Sequence, residues 1–284
     1  MFENVNHPFY KFLDDSKLPE SYRYFHYNDI NEYQSKWPDN HHYGETKRMM
    51  DEYSKNPNRF IKYNWIDSEN NLIFPTYDVN KYGFRTNIEY KDNVDLAIGC
   101  SYTFGLGNHE EHIWPSILSK EIKKQIINLG IPGGGMDSSY RILKSYLNDY
   151  KVNTVYFLIP SAFRYEFVYR NSNDKTTQHL RILPNASSWL EGEEKELYNS
   201  TWDSIYSIED NMYSNFYKNL EAIRYLCIKN KVRLVEYLNP AMYNQDDVLV
   251  KNGWDFIENC SSFDNLHHGP ELHEFITEQF IKII

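Results

Sequence analysis

Four short apolar runs stand apart along the chain: VDLAIG (94–99), IINLG (126–130), NTVYFLI (153–159) and VRLVEY (232–237). Each is rich in β-branched residues and lacks polar alternation, the pattern of a strand buried on both faces. Between and after these runs, apolar residues recur at helical spacing. They are Ile113, Ile117, Leu118 and Ile122; Tyr140, Leu143 and Leu147; Met212, Phe216, Leu220, Ile223 and Cys227; and Leu272, Phe275, Ile276 and Phe280. Strand alternating with helix predicts an α/β fold with a parallel sheet and helices on both faces. In such sheets ligands bind beyond the carboxyl ends of the strands, so the residues following each run carry the functional interest.

Two stretches depart from this rhythm. Residues 1–90 are polar, rich in Tyr, Asn and His, and broken by Pro8, Pro19, Pro38, Pro57 and Pro75. They read as an extension of short helices and irregular chain packed on a core domain of residues 91–284. Residues 165–209 interrupt the alternation with polar sequence around Trp189 and Trp202, and read as an insertion near the active edge of the sheet.

Composition narrows the partners. With 284 residues and 41% hydrophobic content, the chain is long and apolar enough for a substantial core. Its formal net charge of -10 argues against a nucleic-acid surface as its main purpose. The three cysteines, Cys100, Cys227 and Cys260, are far apart and form no C-x-x-C pair, which suggests neither a disulfide framework nor a thiolate metal site. The opening segment MFENVNHPFYKFLDD has acidic residues where a secretory signal needs apolar ones, and no segment has the length to cross a bilayer. The expectation is a soluble, cytoplasmic protein without a membrane partner.

Three segments carry candidate chemistry, two at strand ends and one before the terminal helix. In IGCSYTFGLG (98–107), Ser101 sits where a strand gives way to a helix, a turn that exposes a nucleophile and places its N–H near a helix start. The segment is not a G-x-S-x-G elbow, because Thr103 stands at the second glycine position, and it has no P-loop lysine. In FDNLHHGPELHEF (263–275), Asp264 and His267 precede a terminal helix that Gly269 and Pro270 should start. A carboxylate there can hold an imidazole in the tautomer that accepts a serine proton. In INLGIPGGGMDSSY (127–140), glycines follow a strand and Asp137 is placed as a helix cap. Such a turn lets the backbone approach a ligand and aim N–H groups at a developing oxyanion. Its spacing does not match G-x-G-x-x-G, and no cofactor is expected.

Taken in this order, the three pieces resemble the SGNH hydrolase superfamily of GDSL-like esterases and lipases, in its GCSFTFG-type variant. Ser101 in GCSYTFG matches the nucleophile block, Gly133, five residues after Asn128, the glycine block, and Asp264 with His267 the terminal Asp-x-x-His. NKYGFRTNIEY (80–90) resembles the segment that leads into the nucleophile block. The resemblance implies a three-layer α/β/α sandwich of flavodoxin-like type and a Ser101-His267-Asp264 triad. It also implies an oxyanion hole formed by the N–H groups of Ser101 and Gly133 with an asparagine side chain.

That asparagine is missing, for the chain reads FLIPSAFRYEF (157–167) where the family has Gly-x-Asn-Asp. Ser161 and Arg164 are the candidates to replace it. Arg164 has two other readings, an ion pair with Glu166 or a contact with an anionic substrate. Cys100 stands in place of the Asp of Gly-Asp-Ser, and it is an unfavoured nucleophile because neighbours at a strand end point in opposite directions. A metal site at Asp264, His267, His268 and His273, with His109 and His112 nearby, lacks the i, i+4 histidine spacing that one metal requires. The expected function is a serine esterase that hydrolyses or transfers a short O-acyl group, such as acetyl, on a carbohydrate or similar polar small molecule. The alternative is a related domain that has lost efficient catalysis and serves as a binding or structural module.

Overall fold

A computed structural model describes residues 42–170, 177–182, 190–202, 205, 207–239, 241, 262–263 and 267–284. Four parallel strands form the central sheet: β1 (Val94–Gly99), β2 (Ile126–Gly130), β3 (Val152–Ile159) and β6 (Arg233–Leu238), in the order β2-β1-β3-β6. Crossover helices join them. These are α4 (Trp114–Ile122) between β1 and β2, α5 (Met136–Asp149) between β2 and β3, and α7 (Glu209–Asn230) before β6. The helix α8 (Pro270–Ile283) closes the chain, beginning on Gly269 with Pro270 at its first position, where a missing N–H is harmless.

The period-2 alternation of the strands decides which helix goes where. Leu96, Ile98, Ile127, Leu129, Val155 and Phe157 face α5 and α7 through Leu143, Ile223 and their neighbours. Ala97, Ile126, Tyr156, Leu158 and Val235 face α4 and α8 through Trp114, Leu118, Leu272, Ile276 and Phe280. Both faces are therefore covered, giving the three layers of an α/β/α sandwich. The run at 232–237 is a correction to expectation. Among the described residues it forms an edge strand, mostly half-buried or exposed, and Glu236 on it binds Arg224 of α7 at 2.9 Å. An edge strand has a neighbour on one side only, so it needs less apolar surface than β1 or β3.

The order of strands creates a switch point. From β1 the chain moves outward to β2, then returns across β1 to β3, so the loops after β1 and β3 diverge and leave a crevice at the carboxyl edge. Gly99 and Gly130 are paired in register there, which brings the serine turn and the glycine turn side by side.

Before the sheet, α1 (His42–Lys55) and α2 (Pro57–Lys62) lead to an aromatic cluster of Met49, Phe60, Tyr63 and Trp65 built around Phe263. Arg59 donates to both oxygens of Glu271 at 2.6 and 3.0 Å, and Arg48 donates to the carbonyls of Ser262 and Phe263. The segment 42–74 thus packs directly on the chain that flanks His267. Within 165–209, β4 (Tyr165–Arg170) and β5 (Thr177–Ile182) form an antiparallel pair, followed by α6 (Gly192–Thr201). Among the described residues, no helix is long and apolar enough to cross a membrane.

Candidate active site

The helix α3 (Ser101–Phe104) starts directly after β1, with Cys100 as its N-cap. Its position is dictated from below. Gly130 has no room for a side chain, because a Cβ there would overlap the backbone of Thr103 and Phe104. Asn128 locks the same contact, its side-chain amide donating to Thr103 O while its carbonyl oxygen accepts from Gly130 N–H, each at 2.9 Å. A one-turn helix has almost no stability of its own, so these neighbours hold it in place.

Ser101 Oγ lies 2.8 Å from His267 Nε2, a contact between residues 166 positions apart in the chain. For the hydroxyl to donate, Nε2 must carry the lone pair and the ring proton must sit on Nδ1. Ser101 was expected to be exposed at the sheet edge; it is buried, with 3% of its surface accessible. Such burial favours desolvated chemistry over open access. The third expected member, Asp264, lies outside the described residues.

His267 is surrounded by its own neighbours. The Tyr102 ring meets it edge-on at 5.0 Å, and the Tyr102 hydroxyl is 3.1 Å from His268 Nδ1. Burial, then the proximity of His267, lowers the pKa of His268, so this second imidazole favours its neutral form beside the first.

Gly133 turns at a φ of 71°, a left-handed conformation that suits glycine, and Gly134 N–H closes the turn on Ile131 O at 2.8 Å. The loop after β3 packs against it, and a Cβ on Gly135 would lie 2.6 Å from Arg164 O. The structure gives Ser161 and Arg164 separate neighbours. Ser161 Oγ accepts from Phe163 N–H at 3.2 Å, and Arg164 Nη1 donates to Gly134 O at 3.4 Å.

Two expectations are corrected nearby. Glu166 pairs with Arg141 of α5, at 2.7 Å through two guanidinium nitrogens, rather than with Arg164. Both side chains of that pair are about 95% buried, being 5% and 4% exposed, a site that selects the planar, bidentate partner. Asp137 is also not a cap. Gly135 holds that position, and the Asp137 carboxylate accepts from the amides of Asn215 and Asn219 on α7, each at 2.8 Å. Burial raises its pKa, while those amides oppose the rise.

The other histidines of the expected cluster, His109, His112 and His273, have structural partners. His109 and His112 direct Nε2 to the carbonyls of Ile73 and Tyr63, and His273 is buried with Nδ1 accepting from Trp114 N–H. Among the described residues, no three His, Cys, Asp or Glu side chains are grouped as a metal would require. Cys100 is fully buried, with Asn239 Nδ2 3.8 Å from its sulfur.

Sequence reasoning overlooked Asn128, except as a spacing marker, together with Arg85 and Asn108, which shape the chain following α3. A signal existed for Asn128, an amide two residues before a strand-end glycine. None existed for the others, whose hydrogen bonds go mostly to backbone carbonyls.

No family model matches the chain, and no curated protein matches it. Solved structures show a distant likeness. The psychrotrophic esterase EstA from Pseudoalteromonas sp. is 13% identical, with 68% of this chain and 96% of that one covered and a TM-score of 0.33. The acetyl xylan esterase Est2A from Butyrivibrio proteoclasticus is 11% identical, with 69% and 64% covered and a TM-score of 0.30. A protein of Bacteroides ovatus ATCC 8483 described as a GDSL-like lipase is 11% identical, with 70% and 57% covered and a TM-score of 0.31. The chain spans less than two thirds of the length of the last two.

Proposed function

We propose that the protein is a serine esterase of SGNH type, acting on a short O-acyl group such as acetyl on a carbohydrate or similar polar molecule. The observation that carries this reading is the 2.8 Å contact of Ser101 Oγ with His267 Nε2 at the carboxyl edge of the central strand. In it, His267 takes the hydroxyl proton as Ser101 attacks the ester carbonyl, then returns it to the departing alkoxide. Water or an acceptor hydroxyl, giving its proton to His267, then takes the acyl group from Ser101, whose oxygen recovers the proton. Asp264 orients the imidazole and stabilises its cation.

The N–H groups of Ser101 and Gly133 receive the oxyanion. Arg164, whose guanidinium is tied to the glycine turn, is the candidate third donor, with Ser161 as its alternative. Loss of one such donor costs about a hundred- to a thousandfold in rate, so Arg164→Ala with undiminished turnover would remove it from this role.

The test is hydrolysis of a chromogenic acetyl ester, with fluorophosphonate labelling, by wild type, Ser101→Ala and His267→Ala. Turnover should fall by about 10³-fold or more in either variant while the fold is retained, and labelling should vanish in Ser101→Ala. A folded wild type that neither turns over nor labels would favour the binding-module reading, which the missing asparagine motivates.

A further inference from the structure

Arg85 lies in the stretch 80–90 ahead of the sheet, and its side chain is entirely buried. It is turned onto backbone carbonyls. Nη1 donates to Gly105 O at 2.7 Å and Phe104 O at 3.4 Å, and Nη2 to Asn108 O at 2.9 Å and Thr76 O at 3.2 Å. Glu110 approaches Nε at 3.3 Å, and the Tyr77 ring lies over the guanidinium at 4.7 Å. Three of the four carbonyls belong to 104–108, the chain leaving the serine helix. A planar fork of five donors can serve such divergent acceptors, whereas the compact ammonium of lysine cannot.

The same loop is bolted to the histidine segment. Asn108 is fully buried, and its amide donates to Leu106 O and to His268 O, both at 3.1 Å. Gly107 O accepts from Phe263 N–H, and Ser262 N–H donates to His267 O, both at 3.0 Å. The path from Ser101 to His267 therefore runs through buried bonds to the backbone of both segments as well as through the serine-histidine contact.

We propose that Arg85 and Asn108 are positioning residues that set the separation of Ser101 Oγ and His267 Nε2. Arg85 fixes the course of 104–108, and Asn108 fastens it to the carbonyl of His268. The inference rests on the esterase reading above, but the geometry it concerns can be measured without turnover.

The experiment compares wild type, Arg85→Lys and Asn108→Ala. The control is Ile223→Ala or Ile223→Val, chosen to match their loss of melting temperature; Ile223 is buried between α7 and the far face of the sheet. Two readouts are taken. One is kcat and KM on a chromogenic acetyl ester, and the other is the ¹⁵N resonance of His267 Nε2, which reports its hydrogen bond to Ser101.

A misplacement of about 1 Å costs about a hundredfold, so kcat should fall by about that factor in both variants with KM little changed. The His267 resonance should lose its hydrogen-bond shift, and the Ile223 control should keep both properties. Losses no greater than the control's, or an unaltered His267 resonance, would overturn the proposal. If Arg85→Lys does not fold, Asn108→Ala decides by the same criteria. A wild type inactive on esters, whose His267 resonance still responds to both substitutions, would retire the esterase reading and leave the positioning role standing.

Discussion

Gly130→Ala is the sharpest perturbation of the site that leaves every proposed catalytic side chain in place. The added methyl would sit 2.6 Å from the carbonyl carbon of Thr103 and overlap the amide of Phe104. Carbon atoms in ordinary contact are about 3.5 Å apart, so the serine helix must retreat by roughly 1 Å. The obstacle is backbone on both sides, and Asn128 holds Thr103 O from the same direction, so no side chain can rotate away to relieve it. A displacement of that size would take the 2.8 Å hydroxyl-imidazole contact out of its hydrogen-bond geometry. The expected result is a loss of about a hundredfold in the rate of fluorophosphonate labelling and of ester turnover. Overpacking should also cost about 1–3 kcal/mol of stability. Labelling kinetics measured below the melting temperature of both proteins separate the two effects. A folded Gly130→Ala that labels at the wild-type rate would refute the claim that the Gly130 contact positions Ser101.

Two further predictions concern stability. Burial above all, then Arg85, pushes the His273 imidazole down to about 3, against 6.5 for the free side chain. The native state thus holds this group neutral while the unfolded chain protonates it. His273 costs nothing above pH 6.5, and stability falls by about 1.4 kcal/mol for each pH unit below that until about pH 3. Denaturant titrations of wild type and His273→Gln between pH 4 and pH 7 (about the window of this shift) should show a shallower slope in the variant, and equal slopes would contradict the argument. Glu166→Ala removes the bidentate carboxylate partner of the buried Arg141 guanidinium. It should destabilise the protein by about 3–5 kcal/mol in the same assay, and a loss below about 1 kcal/mol would show that water reaches the guanidinium.

The elements that local pattern could specify were the ones read from sequence. The runs at 94–99, 126–130 and 153–159 are buried strands because contiguous β-branched residues suit a covered sheet, the run at 232–237 is a strand despite its more exposed place, and the four periodic segments are helices. Gly269 and Pro270 start α8 because their demands on φ and N–H are local. Ser101 and His267 were legible as candidates for the same reason, since each stands immediately beside an element boundary.

Tertiary structure decided what distance along the chain conceals. It placed Ser101 within 2.8 Å of a histidine 166 residues later, and gave Glu166 to Arg141 instead of the nearer Arg164. It also made an edge of the last strand and drew Asp137 away from the cap to two amides on α7. Arg85 and Asn108 show the limit most plainly. Most of their hydrogen bonds go to backbone carbonyls, which every residue carries, so no side-chain pattern in the sequence marks where those bonds will form. Periodicity and turn chemistry act over a few residues and leave a trace in composition, whereas the meeting of buried polar groups depends on how the layers pack.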